Sequence, residues 1–318
     1  MRVVFLGTPE FAVPSLRTLI ENSCEIVAVY TQPDRPSGRG QRLRPSPVKV
    51  AALEAGLHVY QPERIRGEEH RAAIEGLQAD FLVVAAYGQI LPGWLLRAVR
   101  VAPVNVHGSL LPRYRGAAPV AWAILSGDRV TGVTTMWMDE HMDTGGMLLR
   151  SEYAIPEAAT AGEVSEALSH LGAALVLPTL EGLRAGTLLP EPQDNSRATL
   201  APKITKEMGR VSWNRRAGEI HNLVRALSPW PLAHTVFRGK PLQLLRSLPT
   251  APVGPGDVQA ATFLGIEGDA LRVACAEGTA LSLIEVRLAD RASVSGREFA
   301  SGARLRAGDR LFGDGPAG

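Results

Sequence analysis

The first thirty residues constrain the fold of this chain more than any other stretch. Arg2–Leu6 is a short apolar strand. Gly7-Thr8-Pro9-Glu10 supplies a turn, an N-cap, a first-turn proline and a first-turn acid. A helix follows to about Asn22, shortened or bent at Pro14, and Glu25–Tyr30 is the next strand. Strand, helix and strand in this order form a βαβ unit, which implies a parallel sheet. No second or third glycine follows Gly7 at the GxGxxG spacing, so the turn is not a dinucleotide fingerprint, and NAD, FAD and NADP are set aside.

The same alternation continues downstream. Phe81–Ala86 is a strongly apolar strand that runs out into Tyr87–Pro92, and the next strand carries Asn105 and His107. Val130–Met138 is β-branched and alternating, Asp139–Gly146 is a turn, Met147–Ile155 is a strand and Gly162–Gly186 is helical. Residues 190–206 are polar, proline-bearing and without periodicity, the pattern of a linker. Beyond them one helix, Arg216–Leu227, precedes short strands separated by turn residues, the spacing of a small β-barrel or sandwich. The expected organisation is an α/β domain over 1–189, a linker over 190–206 and a smaller β-domain over 207–318.

Composition excludes several classes. The two cysteines, Cys24 and Cys275, form neither a CxxC pair nor a disulfide ladder, which fits a reducing compartment. No apolar run is long enough to span a bilayer and the first residues read as a strand rather than a leader, so a cytoplasmic location without membrane attachment is expected. The net charge of +2 hides an asymmetry: from Lys206 onward there are 15 Lys and Arg against 11 Asp and Glu, leaving 19 against 21 in the rest. A basic C-terminal part suits a polyanionic partner. Thr31–Pro47 adds a second basic feature. Its prolines and glycines exclude regular structure, and Arg35, Arg39, Arg42 and Arg44 face only Asp34.

Chemistry concentrates at Asn105-Val-His107-Gly-Ser109-Leu-Leu-Pro112. Positions i, i+2 and i+4 of a strand share a face, so Asn105, His107 and Ser109 can point together. Asn105 can donate to a developing oxyanion, and His107 can carry a proton. Asp143, at the end of a strand and turn, can orient the imidazole. That set equips a site for acyl-type transfer. A Ser–His–Asp hydrolase through Ser109 lacks the GxSxG elbow, and Asp139, Glu140, His141 and Asp143 match neither HExxH nor an EF-hand spacing. The remaining competitor is that Asn105 and His107 are satisfied polar residues at a strand end.

Residues 105–119, Asn-Val-His-Gly-Ser-Leu-Leu-Pro-Arg-Tyr-Arg-Gly-Ala-Ala-Pro, with Asp139 and Asp143-Thr-Gly downstream, resemble the 10-formyltetrahydrofolate-dependent formyltransferases. Phe5-Leu-Gly-Thr-Pro-Glu-Phe-Ala fits as well. Within that superfamily, Thr31-Gln-Pro-Asp-Arg-Pro-Ser-Gly-Arg-Gly, Pro45-Ser-Pro-Val-Lys, Ala201-Pro-Lys-Ile-Thr-Lys and Leu227-Ser-Pro-Trp-Pro resemble the branch that formylates aminoacylated tRNA. Leu232 after Pro231 departs from that pattern and touches no proposed chemistry.

The resemblance implies a Rossmann-like catalytic domain and an OB-like C-terminal domain. It implies Asn105, His107 and Asp143 as the catalytic trio, with Ser109, Leu110, Leu111, Pro112, Ile90 and Leu91 around the folate. It also implies that Arg35, Arg39, Arg42 and Arg44 contact tRNA, Arg39 above all. The expected activity is transfer of the formyl group of 10-formyltetrahydrofolate to the α-amino group of methionyl-initiator tRNA, by a monomer that needs no metal. A formyltransferase for a small amine, or a formyltetrahydrofolate hydrolase, would share residues 105–112 and Asp143 but have little use for the Arg-rich loop. A non-enzymatic nucleic-acid binder leaves the trio unexplained, and Trp213, Trp230 and Phe237 are expected in the core rather than as a stacking platform.

Overall fold

The structure is a computed structural model that describes residues 1–37, 42–253 and 258–311. It divides into two compact units. The first comprises Met1–Pro119, Val130–Ala154 and Ser165–Pro202; the second comprises Val120–Arg129, Ile155–Val164 and the chain from Lys203 on. The division is therefore not one cut in the sequence, because two short segments of the N-terminal part cluster with the C-terminal one.

In the first unit β1 (Arg2–Gly7) leads through α1 (Val13–Glu21) to β2 (Glu25–Tyr30). The basic stretch that follows forms β3 (Arg35–Ser37) and β4 (Arg42–Arg44), and then come α2 (Pro47–Glu54), β5 (Val59–Tyr60) and α3 (Glu68–Gly76). β6 (Phe81–Ala85), the short α4 (Gly93–Leu96) and β7 (Ala102–His107) complete the first half. After α5 (Pro119–Leu125), which apart from Pro119 clusters with the second unit, β8 (Val130–Trp137) and β9 (Met147–Ala154) close the sheet, and α6 (Ala161–Ala185) follows, in the first unit from Ser165 on.

The strand order is β5-β2-β1-β6-β7-β8-β9. Pairing is parallel from β5 through β7 and antiparallel at β7–β8 and β8–β9. Every residue of β6 and β7 is buried, as expected for central strands covered on both faces. Gly172 lets α6 lie directly against β7, since a Cβ there would stand 2.6 Å from Val106 Cγ1. The buried Thr135 and Thr179 hydroxyls, 2.8 Å apart, join β8 to the same helix.

Three local expectations are corrected. Thr8 does not cap a helix: its hydroxyl donates to Tyr87 O at 2.9 Å and so ties the ends of β1 and β6 together. The α-helix starts later, at Val13, with Pro14 in its first turn, where a missing N–H costs nothing. The loop over 31–47 is not wholly irregular, because β3 and β4 pair antiparallel with Pro36 opposite Leu43. A proline is tolerated there because in an antiparallel ladder alternate pairs exchange no hydrogen bonds.

In the second unit α7 (Ala217–Ala226) is followed by β10 (Ala233–Phe237), β11 (Lys240–Thr250), β12 (Phe263–Glu267), β13 (Ala270–Ala274), β14 (Ala280–Leu288), β15 (Val294–Ser295) and α8 (Gly296–Gly302). The sheet is antiparallel in the order β10-β11-β14-β13-β12, with β15 beside β14. Register shifts between Leu244 and Ser247 mark bulges, which curl a strand. Ser295 and Glu298 form a reciprocal capping box that starts α8. Trp213 and Phe237 are buried in this core as expected, whereas Trp230 is 53% exposed.

Candidate functional site

The site is assembled on β7, where Asn105 and His107 sit opposite Met136 and Thr134 of β8. The segment between β8 and β9 folds back and brings Asp143 over the two side chains. Asn105 Nδ2 donates to Asp143 Oδ1 at 3.4 Å. The other carboxylate oxygen accepts the Gly116 N–H at 2.8 Å and stands 3.7 Å from His107 Nδ1. Asn105 and His107 are buried, and the Asp143 side chain is only 15% exposed. The three groups named from the sequence therefore meet around one carboxylate.

Asp143 was expected to hold the imidazole in place, but the geometry divides that task. His107 Nε2 donates to Tyr114 O at 3.0 Å; a carbonyl can only accept, so Nε2 carries a hydrogen. The ring is fixed by that bond, and its Nδ1 edge is left facing the carboxylate. The Asn105 amide has two hydrogens and spends one on Asp143, which leaves the other for a ligand oxygen.

Ser109 does not join Asn105 and His107. β7 ends at His107, and the Ser109 hydroxyl, fully buried, donates to Arg113 O at 2.6 Å. Thr134 Oγ1 donates to Ser109 O at 2.7 Å and accepts the Leu111 N–H at 3.1 Å, so Thr134 pins the turn from β8. Leu111 packs with Met136 and Met147. Leu110 and Pro112 are half-buried. Leu91 lies in the core with Tyr87 and Leu95, while Ile90 is 74% exposed. Of the six residues assigned to the folate, Ser109, Leu111 and Leu91 are thus engaged by the protein itself, and Ile90, Leu110 and Pro112 keep surface to offer.

The Asp139 carboxylate accepts the His141 N–H and the Thr144 hydroxyl, which makes it a turn former. Among the described residues no group of three or more His, Cys, Asp or Glu is arranged to hold a metal ion. A cleft of about 840 Å³ flanks this turn, lined by Trp137, His141, Gly145, Pro190, Pro192 and Gln193. Trp137 follows Met136, so alternation turns it to the sheet face away from Asn105.

Sequence reasoning missed the segment that braces the loop and turn beside the site. The stretch expected as a linker belongs to the first unit as far as Pro202. Glu191 pairs with Met147. Thr199 O accepts the Arg115 N–H, and Arg115 O accepts the Ala201 N–H. The Arg115 guanidinium, buried, donates to Gln193 Oε1 and Asn195 Oδ1. Gly116, at φ +127°, is held so close to this segment that a Cβ would stand 2.6 Å from Ala201 O. The polar residues among the prolines, Gln193 and Asn195, were the available signal, and a linker reading discards it.

The basic ribbon has a built stem. The Thr31 and Ser46 hydroxyls are 2.6 Å apart, and Ser46 also caps α2 by accepting the Lys49 N–H. Lys49 Nζ donates to Asp34 at 2.7 Å, and Gln61 Nε2 donates to the same carboxylate and to Gln32 O. Hydrogen bonds from Lys49 and Gln61 hold the Asp34 carboxyl below its ordinary value. The aspartate expected to face the arginines is therefore taken up by the stem. Arg35 and Arg44 are directly opposite each other and exposed. Like charges in that arrangement repel unless an anion separates them. Arg39 lies outside the described residues, and only the backbone of Arg42 is described. No helix among the described residues is long and apolar enough to cross a membrane.

Comparison with known proteins identifies the family. Residues 1–180 match the formyl transferase family model, and residues 203–304 match the model of the formyl transferase C-terminal domain. The methionyl-tRNA formyltransferase of Solibacter usitatus is 47% identical over 98% of both chains, and that of Bacillus subtilis is 42% identical over 98% of this chain and 97% of its own. Among solved structures, the N-formyltransferase of Helicobacter canadensis, in complex with folinic acid and dTDP-3-aminofucose, superposes with a TM-score of 0.67. At 18% identity over 88% of this chain and 98% of that one, the likeness is one of fold. A trio gathered around one carboxylate, two matched domains and full-length relatives lead to one assignment: the chain belongs to the methionyl-tRNA formyltransferase family.

Proposed function

We propose that the protein transfers the formyl group of 10-formyltetrahydrofolate to the α-amino group of methionyl-initiator tRNA, with Asn105, His107 and Asp143 at the reacting atoms. The observation that carries the reading is the pairing of Asn105 and His107 around the Asp143 carboxylate. A free α-amino group has a pKa of about 7.7–8.0, so a useful fraction is uncharged near neutral pH. As the amine attacks the formyl carbon, the carbonyl oxygen gains charge, and the unspent Asn105 N–H is placed to donate to it. The new N–C bond forms as the bond to N10 breaks. The proton lost by the amine ends on N10, and His107 is the group able to carry it. Asp143 holds Asn105 in position and balances charge on the imidazole.

The folate is a co-substrate in this reading. The exposed Ile90, the half-buried Leu110 and Pro112, and the 139–143 turn offer apolar surface and backbone groups to a planar heterocycle, and no step here calls on a metal. The paired Arg35 and Arg44, with Arg39 and Arg42 between them in the sequence, supply phosphate contacts for the tRNA in this reading. The excess of basic residues beyond Lys206 supports the same partner. In this reading the protein acts as a cytoplasmic monomer, where its two substrates meet.

The test offers 10-formyltetrahydrofolate with methionyl-tRNA, free methionine and an amino-sugar nucleotide side by side. Formylation of methionyl-tRNA at a rate far above the other two is expected. Transfer to the sugar amine alone would replace the reading with that of a small-amine formyltransferase.

A further inference from the structure

Gln193 lies in the stretch that reads as a linker, half-buried beside the turn that carries Asp143. Both ends of its amide are fully used. Nε2 donates to Asp143 O at 2.9 Å and to Gly145 O at 2.7 Å, which spends both hydrogens. Oε1 accepts Arg115 Nε at 3.0 Å and Nη2 at 2.7 Å, which spends both lone pairs. Arg115 is the neighbour of Gly116, whose N–H donates to the Asp143 carboxylate at 2.8 Å. These bonds close a ring: Asp143 carboxylate, Gly116, Arg115, Gln193 and back to the Asp143 carbonyl.

The ring matters because Asp143 has a backbone that does not hold itself. Its φ is +55°, a conformation that a non-glycine residue adopts at some cost. A side chain that grips the carbonyls of residues 143 and 145 fixes the direction in which the carboxylate leaves the turn. Only glutamine offers two donors and a doubly accepting oxygen at this reach. Glutamate keeps the acceptor toward Arg115 but turns an oxygen toward two carbonyl oxygens, and asparagine is one methylene short.

We infer that Gln193 is a positioning residue for the formyl transfer, which holds Asp143 over Asn105 and His107 by clamping its turn to the Arg115–Gly116 loop. The inference rests on the reading of Asp143 given above. It adds a determinant that lies outside the motif residues and whose signature is a loss of rate without a loss of substrate binding.

The test measures formylation of methionyl-tRNA, with kcat and both KM values, together with thermal midpoints, for wild type, Gln193→Ala, Gln193→Glu, Asp143→Asn and the Gln193→Ala/Asp143→Asn double variant. Both Gln193 variants are expected to lose about 10- to 100-fold in kcat, the scale of a displaced reacting group, with each KM within about threefold of wild type. In the Asp143→Asn background, Gln193→Ala should cost little more, because the two act as one unit. Gln193→Glu is the discriminating variant, since it retains the Arg115 interaction and differs only at the carbonyl clamp. Wild-type kcat in Gln193→Glu, or losses that multiply in the double variant, would overturn the inference. A slow Asp143→Asn with normal Gln193 variants overturns the inference alone. An Asp143→Asn variant at the wild-type rate would overturn the reading of the site and the inference with it.

Discussion

Asp143 accepts the Gly116 backbone N–H through the same carboxylate oxygen that faces His107 Nδ1. A main-chain donor from the 111–117 loop thus shares one oxygen with the proposed proton carrier, while the other oxygen serves Asn105. Gly116 has φ +127°, a region open essentially to glycine, and its missing Cβ leaves room for Ala201 O. Gly116→Ala should therefore destabilise the fold by about 1–3 kcal/mol and pull the donor off the carboxylate. A lower thermal midpoint accompanied by a fall in kcat is the expected result.

Asn105 tests the oxyanion role. Removing such a donor typically costs about 2.7–4 kcal/mol in the transition state, roughly a hundred- to a thousandfold in kcat. Asn105→Ala should show that loss with little change in KM for either substrate. An effect mainly on KM for the folate would make Asn105 a binding group.

Acid sensitivity should reside in the second unit. Burial pushes the His221 imidazole below its ordinary 6.5, with Arg225 adding to the shift and hydrogen bonds to Glu157 and Ser247 opposing it. The unfolded chain then binds a proton that the folded one refuses, so stability is lost as pH falls below about 6.5. Glu163 acts lower: hydrogen bonds from Arg246 and Thr160 hold its carboxyl at about 2, so its contribution is present above its ordinary 4.5 and fades as pH falls toward 2. Thermal midpoints from pH 7 to 5 should fall in wild type and fall less steeply in His221→Gln.

The Arg35–Arg44 pair makes a salt prediction. Removing one arginine–phosphate pairing should lower the slope of log affinity against log salt by roughly 0.7–0.9. The double change of Arg35 and Arg44 to Ala is expected to weaken methionyl-tRNA use, flatten that slope by about 1–2 and leave KM for 10-formyltetrahydrofolate unchanged. A shift confined to the folate KM would assign the ribbon to the other substrate.

How much of this was legible in the sequence follows from which physical signals are local. β6 is buried on both faces, so it stands out as an unbroken apolar run, and in the equally buried β7 the Asn105/His107 alternation survives as a strand face. Strand direction leaves no such trace: Val130–Trp137 alternates in the same way whether it pairs parallel or antiparallel, and it is antiparallel. Thr8 has the composition of a cap, but the nearby Tyr87 carbonyl draws its hydroxyl across the sheet. Pro36 hid a strand because a proline excludes only the bonded positions of a ladder. Ser109 reads as a third member of the strand face, yet the strand has ended two residues earlier. Gln193 was the least visible, since its role depends on carbonyls about fifty residues away and its own surroundings are those of a linker.

The central claim is that one carboxylate, Asp143, organises Asn105 and His107 for formyl transfer to methionyl-tRNA. Its most direct test is the single-turnover rate of formylation by Asp143→Asn with both substrates saturating, alongside binding of methionyl-tRNA. Asparagine matches the carboxylate in shape but has a single acceptor oxygen, so it cannot serve both Gly116 N–H and Asn105 Nδ2 and carries no charge opposite His107. The account predicts a fall of at least about a hundredfold in the rate with binding of methionyl-tRNA unchanged. A variant that formylates at the wild-type rate would contradict it.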